Sequence, residues 1–305
     1  MSRVSVIIPT HNRASMLCST VASAREAGHD VEVVVVDDAS TDDTASLCRN
    51  MPGIIYVRLD RNVGVTRARN IGVARSTGEY LAFLDDDDRR LPGSIDKQIG
   101  VFADYRELGL VYGQVLIGDQ TCTPTGEIRP GLCPTGDVFW DLLRGNMIYT
   151  STALVKKQHF ETVGLFDSSF RVMEDWDAWI RMAAAFSIGA VHEPVSIYRD
   201  YSSLSGQLSS NRPKMCRWSA RALAKALRSP RGLAADAAKR HEIWTSYMDL
   251  TWTSLLKEGR SAIAEGRILY AAQNYVAAVR LDPRRAARPR AIANFVRSLR
   301  THASA

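Results

Sequence analysis

The chain has 305 residues, 46% of them hydrophobic and 24% charged, and carries a formal net charge of +6. This size and apolar content suffice for one large domain, or for one domain with an appendage. Because no run of about 18 uninterrupted apolar residues occurs, we expect neither a membrane span nor a signal peptide, and we predict a cytoplasmic protein. The five cysteines are odd in number and lack zinc-ligand spacing, which indicates free thiols in a reducing compartment.

The charge is unevenly distributed along the chain. Residues 1–209 carry 20 basic and 27 acidic side chains, whereas residues 210–305 carry 19 and 6. This asymmetry predicts an acidic catalytic domain over residues 1–209 and a basic α-helical extension over residues 210–305. Such an extension is suited to peripheral contact with the inner face of a membrane, to contact with a polyanion, to homo-oligomer formation or to docking on the catalytic domain. The alternative is an ordinary solvated helix surface.

Strand and helix signals alternate along the first 84 residues. Short apolar runs rich in β-branched residues predict strands, and the segments between them have helical character. The predicted strands cover residues 4–8, 31–36, 54–59 and 80–84, the predicted helices cover 14–27 and 66–76, and residues 41–43 offer caps for a further helix. This order predicts an α/β fold with a mostly parallel, Rossmann-like sheet flanked by helices.

The pattern changes after residue 110. Prolines and glycines between residues 118 and 137 predict an irregular loop of the kind that forms a lid or a substrate wall. From about residue 212 the chain has the composition of Ala- and Arg-rich amphipathic helices.

Three polar loops follow predicted strands of the sheet: Pro9–Arg13, Asp37–Ser40 and Asp85–Asp88. Ligands of parallel sheets gather outside the carboxyl ends of the strands, so we expect these loops to meet at one site. None of them is a glycine-rich phosphate cradle, which argues against a dinucleotide-binding fold and against a P-loop NTPase.

The third loop is a run of four aspartates directly after an apolar strand. Adjacent carboxylates repel one another, so such a run either remains solvated or binds a positive group. Hard oxygen donors of this kind suit Mg2+ or Mn2+, particularly where the metal also contacts a phosphate. The alternative is a solvated acidic loop.

Four separated stretches together resemble the family 2 glycosyltransferases. They are Val4–Arg13, Val36–Asp42, Ala68–Asp88 and Gly164–Arg181, and the resemblance covers roughly residues 3 to 205. It implies a GT-A fold and a metal-dependent enzyme of the hexosyltransferase type that transfers a sugar from a nucleotide-diphosphate donor to an acceptor hydroxyl with inversion. The implied setting is cell-surface polysaccharide, glycolipid or secondary-metabolite glycosylation.

The resemblance also implies a donor site. The family's Asp-x-Asp motif falls on the aspartate run, so that Asp87 and Asp85 would hold Mn2+ or Mg2+ against the diphosphate. The residues assigned to the nucleotide sugar are Pro9, Thr10, Asn12, Arg13, Asp38, Arg69, Asp85 and Asp86.

The resemblance implies more specific roles for Asp38 and Arg69. Asp38 matches the position that accepts a hydrogen bond from the imide N–H of the base; a carboxylate suits the N3–H of uracil or thymine, although guanine also has an N1–H. A UDP- or dTDP-sugar is therefore favoured, and a GDP-sugar stays open. Arg69 is assigned to the diphosphate or the base side, with an exposed helix arginine as the alternative.

The second catalytic signal is the pair Glu174-Asp175, because the family's general base is the aspartate of such a pair. Asp175 would take the proton of the attacking hydroxyl in a single displacement. The alternative is that Asp175 and Asp177 only cap or favour the start of a helix.

The acceptor, a glycan, a lipid-linked or a small molecule, is less well defined by the sequence. Trp140, Asn146 and Trp176 are acceptor-side candidates, with a core role as the alternative for Trp176. Many relatives read Tyr-Arg-x-His near the end of the domain, whereas here Tyr201 stands in the place of the histidine.

Two other classes of function remain. A sugar-phosphate nucleotidyltransferase shares the nucleotide-binding architecture, but the first loop lacks its glycine-rich signature. A non-catalytic glycan-binding or scaffold protein with a degenerate transferase fold is the second alternative. The intact acidic run and the Glu174-Asp175 pair argue against it.

Overall fold

The computed structural model describes residues 3–200 and 211–286, and the chain divides into two compact units, 1–205 and 206–305. Tyr201 and the predicted domain boundary at residue 209 lie outside the described residues. The two-domain division of the sequence therefore stays a prediction at that boundary.

The first unit combines strands and helices, and the described part of the second unit is helical. The strands are β1 (Val4–Thr10), β2 (Val31–Asp37), β3 (Ile54–Arg58), β4 (Tyr80–Phe83), β5 (Arg89–Arg90), β6 (Leu108–Gly118), β7 (Pro124–Arg129), β8 (Leu154–Lys156) and β9 (Ser187–Arg199). The helices of the first unit are α1 (Ala14–Glu26), α2 (Thr44–Arg49), α3 (Val65–Arg75), α4 (Ser94–Asp104), α5 (Phe139–Arg144), α6 (Lys157–Val163) and α7 (Glu174–Ala185), with a 3₁₀ turn at Thr150–Thr152.

The described strands form one mixed sheet in the order β3-β2-β1-β4-β8-β6-β9-β5, with β7 paired to β6. The first four strands are parallel, as the alternation of strands and helices predicts. All seven residues of β1 are buried, because helices cover both faces of a sheet built in this way. The carboxyl ends of β1, β2 and β4 therefore lie side by side, which is where the polar loops follow.

The second half of the sheet is not purely parallel. Strand β8 runs antiparallel to both β4 and β6, and β5 runs antiparallel to β9, while β6 and β9 are parallel. The segment 118–137, predicted as irregular, contains strand β7, whose six residues are all exposed. Its prolines and glycines mask the strand signal, because Pro124 opens the strand and pairing with β6 supplies the order.

Helix α3 lies close to β1 because Gly72 has no side chain. A Cβ atom at Gly72 would come within 2.4 Å of Ile7 Cγ2, and within 3.3 Å of Val36 Cγ2 on β2. This contact brings the helix directly onto the two central strands. It also places the preceding turn of α3, which carries Arg69, beside the site.

The helices of the second unit are α8 (Arg212–Leu227), α9 (Pro230–Leu233), α10 (Ala237–Ala264), α11 (Ile268–Leu281) and α12 (Pro283–Ala286). Asn211 and Asp236 cap α8 and α10 by accepting backbone N–H groups with their side chains. Small buried clusters, such as Cys216, Trp252, Leu255 and Ala278, hold these helices together. Over the described residues, none of the helices combines the length and apolarity needed to cross a bilayer.

Candidate active site

The loop after β1 is fastened to the loop after β2 by Asn12. Its side-chain Oδ1 accepts a hydrogen bond from Thr41 N at 2.7 Å, and its own backbone N–H donates to Ser40 Oγ at 2.9 Å. Asn12 adopts a left-handed backbone with φ 55°, and Ala39 in the neighbouring loop does so with φ 60°. Such conformations cost free energy outside glycine, so the paired loops impose them on one another.

Asp38 is a buried anchor at the carboxyl end of β2. Its Oδ1 accepts from Val63 N at 2.7 Å and its Oδ2 from Gly64 N at 2.8 Å, at the start of α3. Each carboxylate oxygen still has a second lone pair. The predicted bond to the imide of a base would therefore be shared with these backbone contacts, and it stays a prediction.

The four aspartates point in different directions. Asp86 and Asp87 both accept from the guanidinium of Arg13, with Arg13 Nη1 3.0 Å from Asp86 Oδ1. Asp88 turns inward, where its carboxylate accepts the backbone N–H of Arg199 at 3.0 Å. Arg13, Asp86 and Asp87, all assigned to the donor site, thus lie together, and their donor role stays a prediction. Asp88 is a structural residue.

Burial makes the charged form of these aspartates costly. It raises the pKa of Asp86 to about 6, an effect that Arg13 opposes and Asp87 strengthens. The pKa values of Asp87 and Asp88 are also raised, first by burial and then by the neighbouring aspartates, with Arg13 opposing the effect at Asp87. The run is therefore a concentration of negative charge that further positive charge would stabilise.

Arg69 joins the aspartate run to the Glu174-Asp175 pair. It is 3% exposed, and its guanidinium donates to Asp85 and, at 2.5 Å, to Glu174 Oε1. Its guanidinium carbon also lies 5.7 Å from the centre of the Phe166 ring. The alternative of an exposed helix arginine is wrong, because α3 turns this residue into the interior.

Helix α7 begins at Glu174, and the residue before it, Met173, has a left-handed backbone with φ 65°. Burial raises the pKa of Glu174 to about 6, which Arg69 opposes and Asp175 strengthens. Burial likewise raises the pKa of Asp175 above its usual range. Asp175 is half-buried, whereas its neighbours Glu174 and Trp176 are buried.

The carboxylate of Asp175 is held by three donors. Its Oδ1 accepts the backbone N–H of Trp176 at 2.7 Å, and its Oδ2 accepts Thr150 Oγ1 at 3.0 Å and Asn146 Nδ2 at 3.2 Å. Asn146, predicted on the acceptor side, therefore lies beside the predicted base.

Of the two tryptophans predicted on the acceptor side, Trp176 is buried and Trp140 is half-buried. Trp176 is 1% exposed and donates its indole N–H to Leu142 O at 2.8 Å, so it is a core residue with no surface to offer an acceptor. Trp140 is half-buried and packs edge-on against Phe139, with ring centres 5.0 Å apart. The acceptor-side role of Trp140 stays a prediction.

The structure adds two residues to the site that the sequence did not single out. Arg199 donates from Nε to the backbone carbonyl of Asp87 at 2.7 Å and so holds the aspartate run from the β9 side. The Tyr-Arg sequence that precedes Tyr201 was the available signal for it. Thr150, in contrast, lies in an unremarkable loop sequence, and nothing in the chain marks it.

Asp85 and Asp87 offer hard carboxylate oxygens, whose chemistry suits a divalent cation. Among the residues that the structure describes, no group of three or more His, Cys, Asp or Glu side chains is arranged to hold a metal ion. A site here would thus use one or two carboxylates, with phosphate oxygens and water as the other ligands, which is the usual arrangement for Mg2+. The Arg13 guanidinium on Asp87 already shows that this carboxylate takes a cationic partner.

Comparison with known proteins gives the same family as the sequence motifs. The sequence profile described as glycosyl transferase family 2 matches residues 5–164. An uncharacterized glycosyltransferase of Rickettsia typhi is 29% identical over 196 residues, which is 62% of this chain and 61% of that protein. The chain thus spans about three fifths of this relative's length. A PGL/p-HBAD biosynthesis glycosyltransferase of Mycobacterium tuberculosis is 29% identical over 212 residues, covering 67% of this chain and 79% of that protein.

Solved structures share the fold. S. aureus TarS in complex with UDP-GlcNAc superposes with a TM-score of 0.63 at 18% identity, covering 92% of this chain and 83% of that one. The mannosyltransferase PcManGT from Pyrobaculum calidifontis, in complex with GDP-Man and Mn2+, superposes with a TM-score of 0.58 at 19% identity, covering 92% and 87%. At this level of identity the similarity shows a GT-A fold and nothing finer.

Proposed function

Because the chain belongs to glycosyl transferase family 2, we propose that it is an inverting, metal-dependent glycosyltransferase that uses a nucleotide-diphosphate sugar. The proposal rests on one observation: the side chain of Arg69 contacts both Asp85 of the aspartate run and Glu174 of the Glu174-Asp175 pair. A donor diphosphate at the first group and an acceptor hydroxyl at the second would then meet across the sugar.

The donor side would use the loops after β1, β2 and β4. Asp85 and Asp87 would hold Mn2+ or Mg2+, which when bound neutralises charge on the departing nucleoside diphosphate. Arg13 would exchange its aspartate partners for phosphate oxygens when the donor binds. Pro9, Thr10 and Asp38 would face the nucleoside from the ends of β1 and β2.

Asp175 would be the general base on the acceptor side. In a single displacement, the acceptor oxygen forms the new bond to the anomeric carbon while its proton passes to the Asp175 carboxylate. The leaving diphosphate departs with the electron pair of the broken bond. The raised pKa of Asp175 suits this role, because a base works best when its pKa lies near the working pH.

The substrates are supported less directly. The solved relatives carry UDP-GlcNAc and GDP-Man, so a nucleotide sugar is the donor class we propose. The M. tuberculosis relative, named for PGL/p-HBAD biosynthesis, supports a biosynthetic glycosylation such as that of a cell-surface glycolipid. We propose that the basic helices beyond residue 210 contact a membrane surface or a second copy of the chain.

The function is tested with a panel of UDP-, dTDP- and GDP-sugars. Thermal shift with and without Mn2+ identifies the donor, and release of nucleoside diphosphate measures turnover. We expect Asp175→Asn to retain metal-coupled donor binding and to lose about 10²- to 10⁴-fold in turnover, the typical contribution of a general base.

Asp177→Asn is the matched control, because Asp177 lies on the same helix and pairs with Arg181 at 2.9 Å. It should lose stability and keep its turnover. Equal turnover in wild type and Asp175→Asn would refute the base assignment. Release of pyrophosphate would indicate a nucleotidyltransferase, and absence of metal-coupled binding would indicate a scaffold.

A further inference from the structure

We infer that Thr150 is a positioning residue for Asp175: its hydroxyl fixes the carboxylate so that Oδ1, and not Oδ2, receives the proton of the acceptor. This inference rests on the proposed function of Asp175 as the general base. Thr150 itself need not touch either substrate.

The two carboxylate oxygens of Asp175 accept different numbers of hydrogen bonds. A carboxylate oxygen has two lone-pair sites. At Oδ2, Thr150 Oγ1 at 3.0 Å and Asn146 Nδ2 at 3.2 Å take both of them. At Oδ1, the backbone N–H of Trp176 takes one at 2.7 Å. The remaining site on Oδ1 is therefore the one available to an acceptor hydroxyl.

Thr150 is held more firmly than Asn146. Asn146 is exposed, whereas Thr150 is half-buried and opens the 3₁₀ turn Thr150–Thr152. Thr152 N and Thr152 Oγ1 both donate to Tyr149 O at 2.9 Å, and Gln98 Nε2 donates to Thr152 O at 2.8 Å. The buried end of the turn thus fixes the position of the Thr150 hydroxyl.

Charged groups of both signs act on the carboxylate of Asp175. Arg69 stabilises its carboxylate, whereas Asp85 destabilises it, and Glu174 precedes it on the same helix. Thr150 and the backbone of Trp176 are neutral donors that oppose the effect of burial. Removing the Thr150 hydroxyl should therefore raise the pKa of Asp175 and let its carboxylate rotate.

The test measures the pKa of Asp175 directly, by ¹³C NMR titration of aspartate-labelled protein, with Asp175→Asn used to assign the signal. We expect Thr150→Val to raise this pKa and Thr150→Ser, which restores the hydroxyl, to return it to the wild-type value. Thr162→Val is the control, because it removes an exposed hydroxyl from α6 that donates to Gln158 O and contacts neither Asp175 nor the turn. It should leave the pKa of Asp175 unchanged.

The kinetic counterpart uses the donor selected by the nucleotide-sugar panel, with water as the acceptor. We expect Thr150→Val to lower kcat about tenfold, the effect of losing one hydrogen bond to a charged group, with the KM for donor unchanged. The acid limb of the kcat profile should move to higher pH. A Thr150→Val protein with the wild-type Asp175 pKa and pH profile overturns the inference.

Two results separate this inference from the proposed function. If Asp175→Asn is inactive but Thr150→Val behaves as wild type, only the positioning role fails. If Asp175→Asn is fully active, the base assignment fails whatever Thr150 does. Should Thr150→Val fold poorly, Thr150→Ala removes the same hydroxyl with less strain on the turn, and the same NMR titration decides.

Discussion

Arg69 and Glu174 form a buried ion pair, with Nη1 2.5 Å from Oε1 and both side chains less than a tenth exposed. Because the same guanidinium also contacts Asp85, the pair connects α3, the end of β4 and the start of α7. A planar guanidinium contacts two carboxylates at once, which a lysine ammonium on its flexible stem does less well. Arg69 thus determines how far apart the two acidic groups of the site lie.

Replacing Arg69 should be costly for stability. In Arg69→Met, Glu174 is left buried without its partner, and breaking a buried pair in this way typically costs about 3 kcal/mol or more. Arg67→Met is the control, since Arg67 lies on the same helix and is exposed. Urea unfolding should show a large loss of unfolding free energy for Arg69→Met and a small change for Arg67→Met. Equal losses in the two variants would mean that the buried contacts of Arg69 do not stabilise the fold.

Glu174 should make stability depend on pH. Its folded pKa of about 6 lies above the ordinary value of 4.5. A raised carboxyl pKa contributes stability that is fully present below the unfolded pKa and is lost as the pH rises through the folded one. Over the whole transition, from well below pH 4.5 to well above pH 6, the loss amounts to about 2 kcal/mol for this group. Glu174→Gln should reduce that loss in urea unfolding measured across this pH range, and an unchanged profile would contradict the assignment.

Arg13 should compete with a metal ion for Asp87. Its guanidinium occupies the carboxylates of Asp86 and Asp87, so a cation that binds Asp87 must displace it or share the oxygen. Removing this positive charge in Arg13→Gln should tighten Mn2+ binding without nucleotide by about tenfold. Isothermal titration with Mn2+ alone measures the effect. The control is Arg49→Gln, an exposed arginine at the end of α2, and equal affinity in both variants would exclude the competition.

The elements near the N terminus were predictable because their signals are local. The β-branched runs of β1 and β2 and the periodic helices between them give strands and helices within a few residues of the predicted bounds. Strand β7 was not predictable, since its order comes from pairing with β6, far from its own proline- and glycine-rich sequence.

The site shows the same division between local and long-range signals. The aspartate run and Glu174-Asp175 are visible as charge patterns. Burial of Arg69, however, depends on packing between α3 and α7, which are about a hundred residues apart in the chain. Thr150 contacts Asp175 only because a turn after α5 ends beside the start of α7, and no residue type in that turn announces it.

The close contact of α3 with β1 gives a prediction from packing alone. Gly72→Ala places a methyl group 2.4 Å from Ile7 Cγ2, and Ile7 is fully buried in the central strand, so neither group can move without disturbing the sheet. Overpacking of this kind costs about 1–3 kcal/mol. Gly100→Ala is the control on α4: a Cβ there meets no atom within 4 Å, and alanine stabilises a helix interior by about 1 kcal/mol relative to glycine. Urea unfolding should therefore give changes of opposite sign for the two substitutions.

Because Gly72 lies one turn after Arg69, the Gly72→Ala shift should also weaken the Arg69–Glu174 pair and lower turnover. A stable and fully active Gly72→Ala protein would show that α3 can retreat from β1 without disturbing the site.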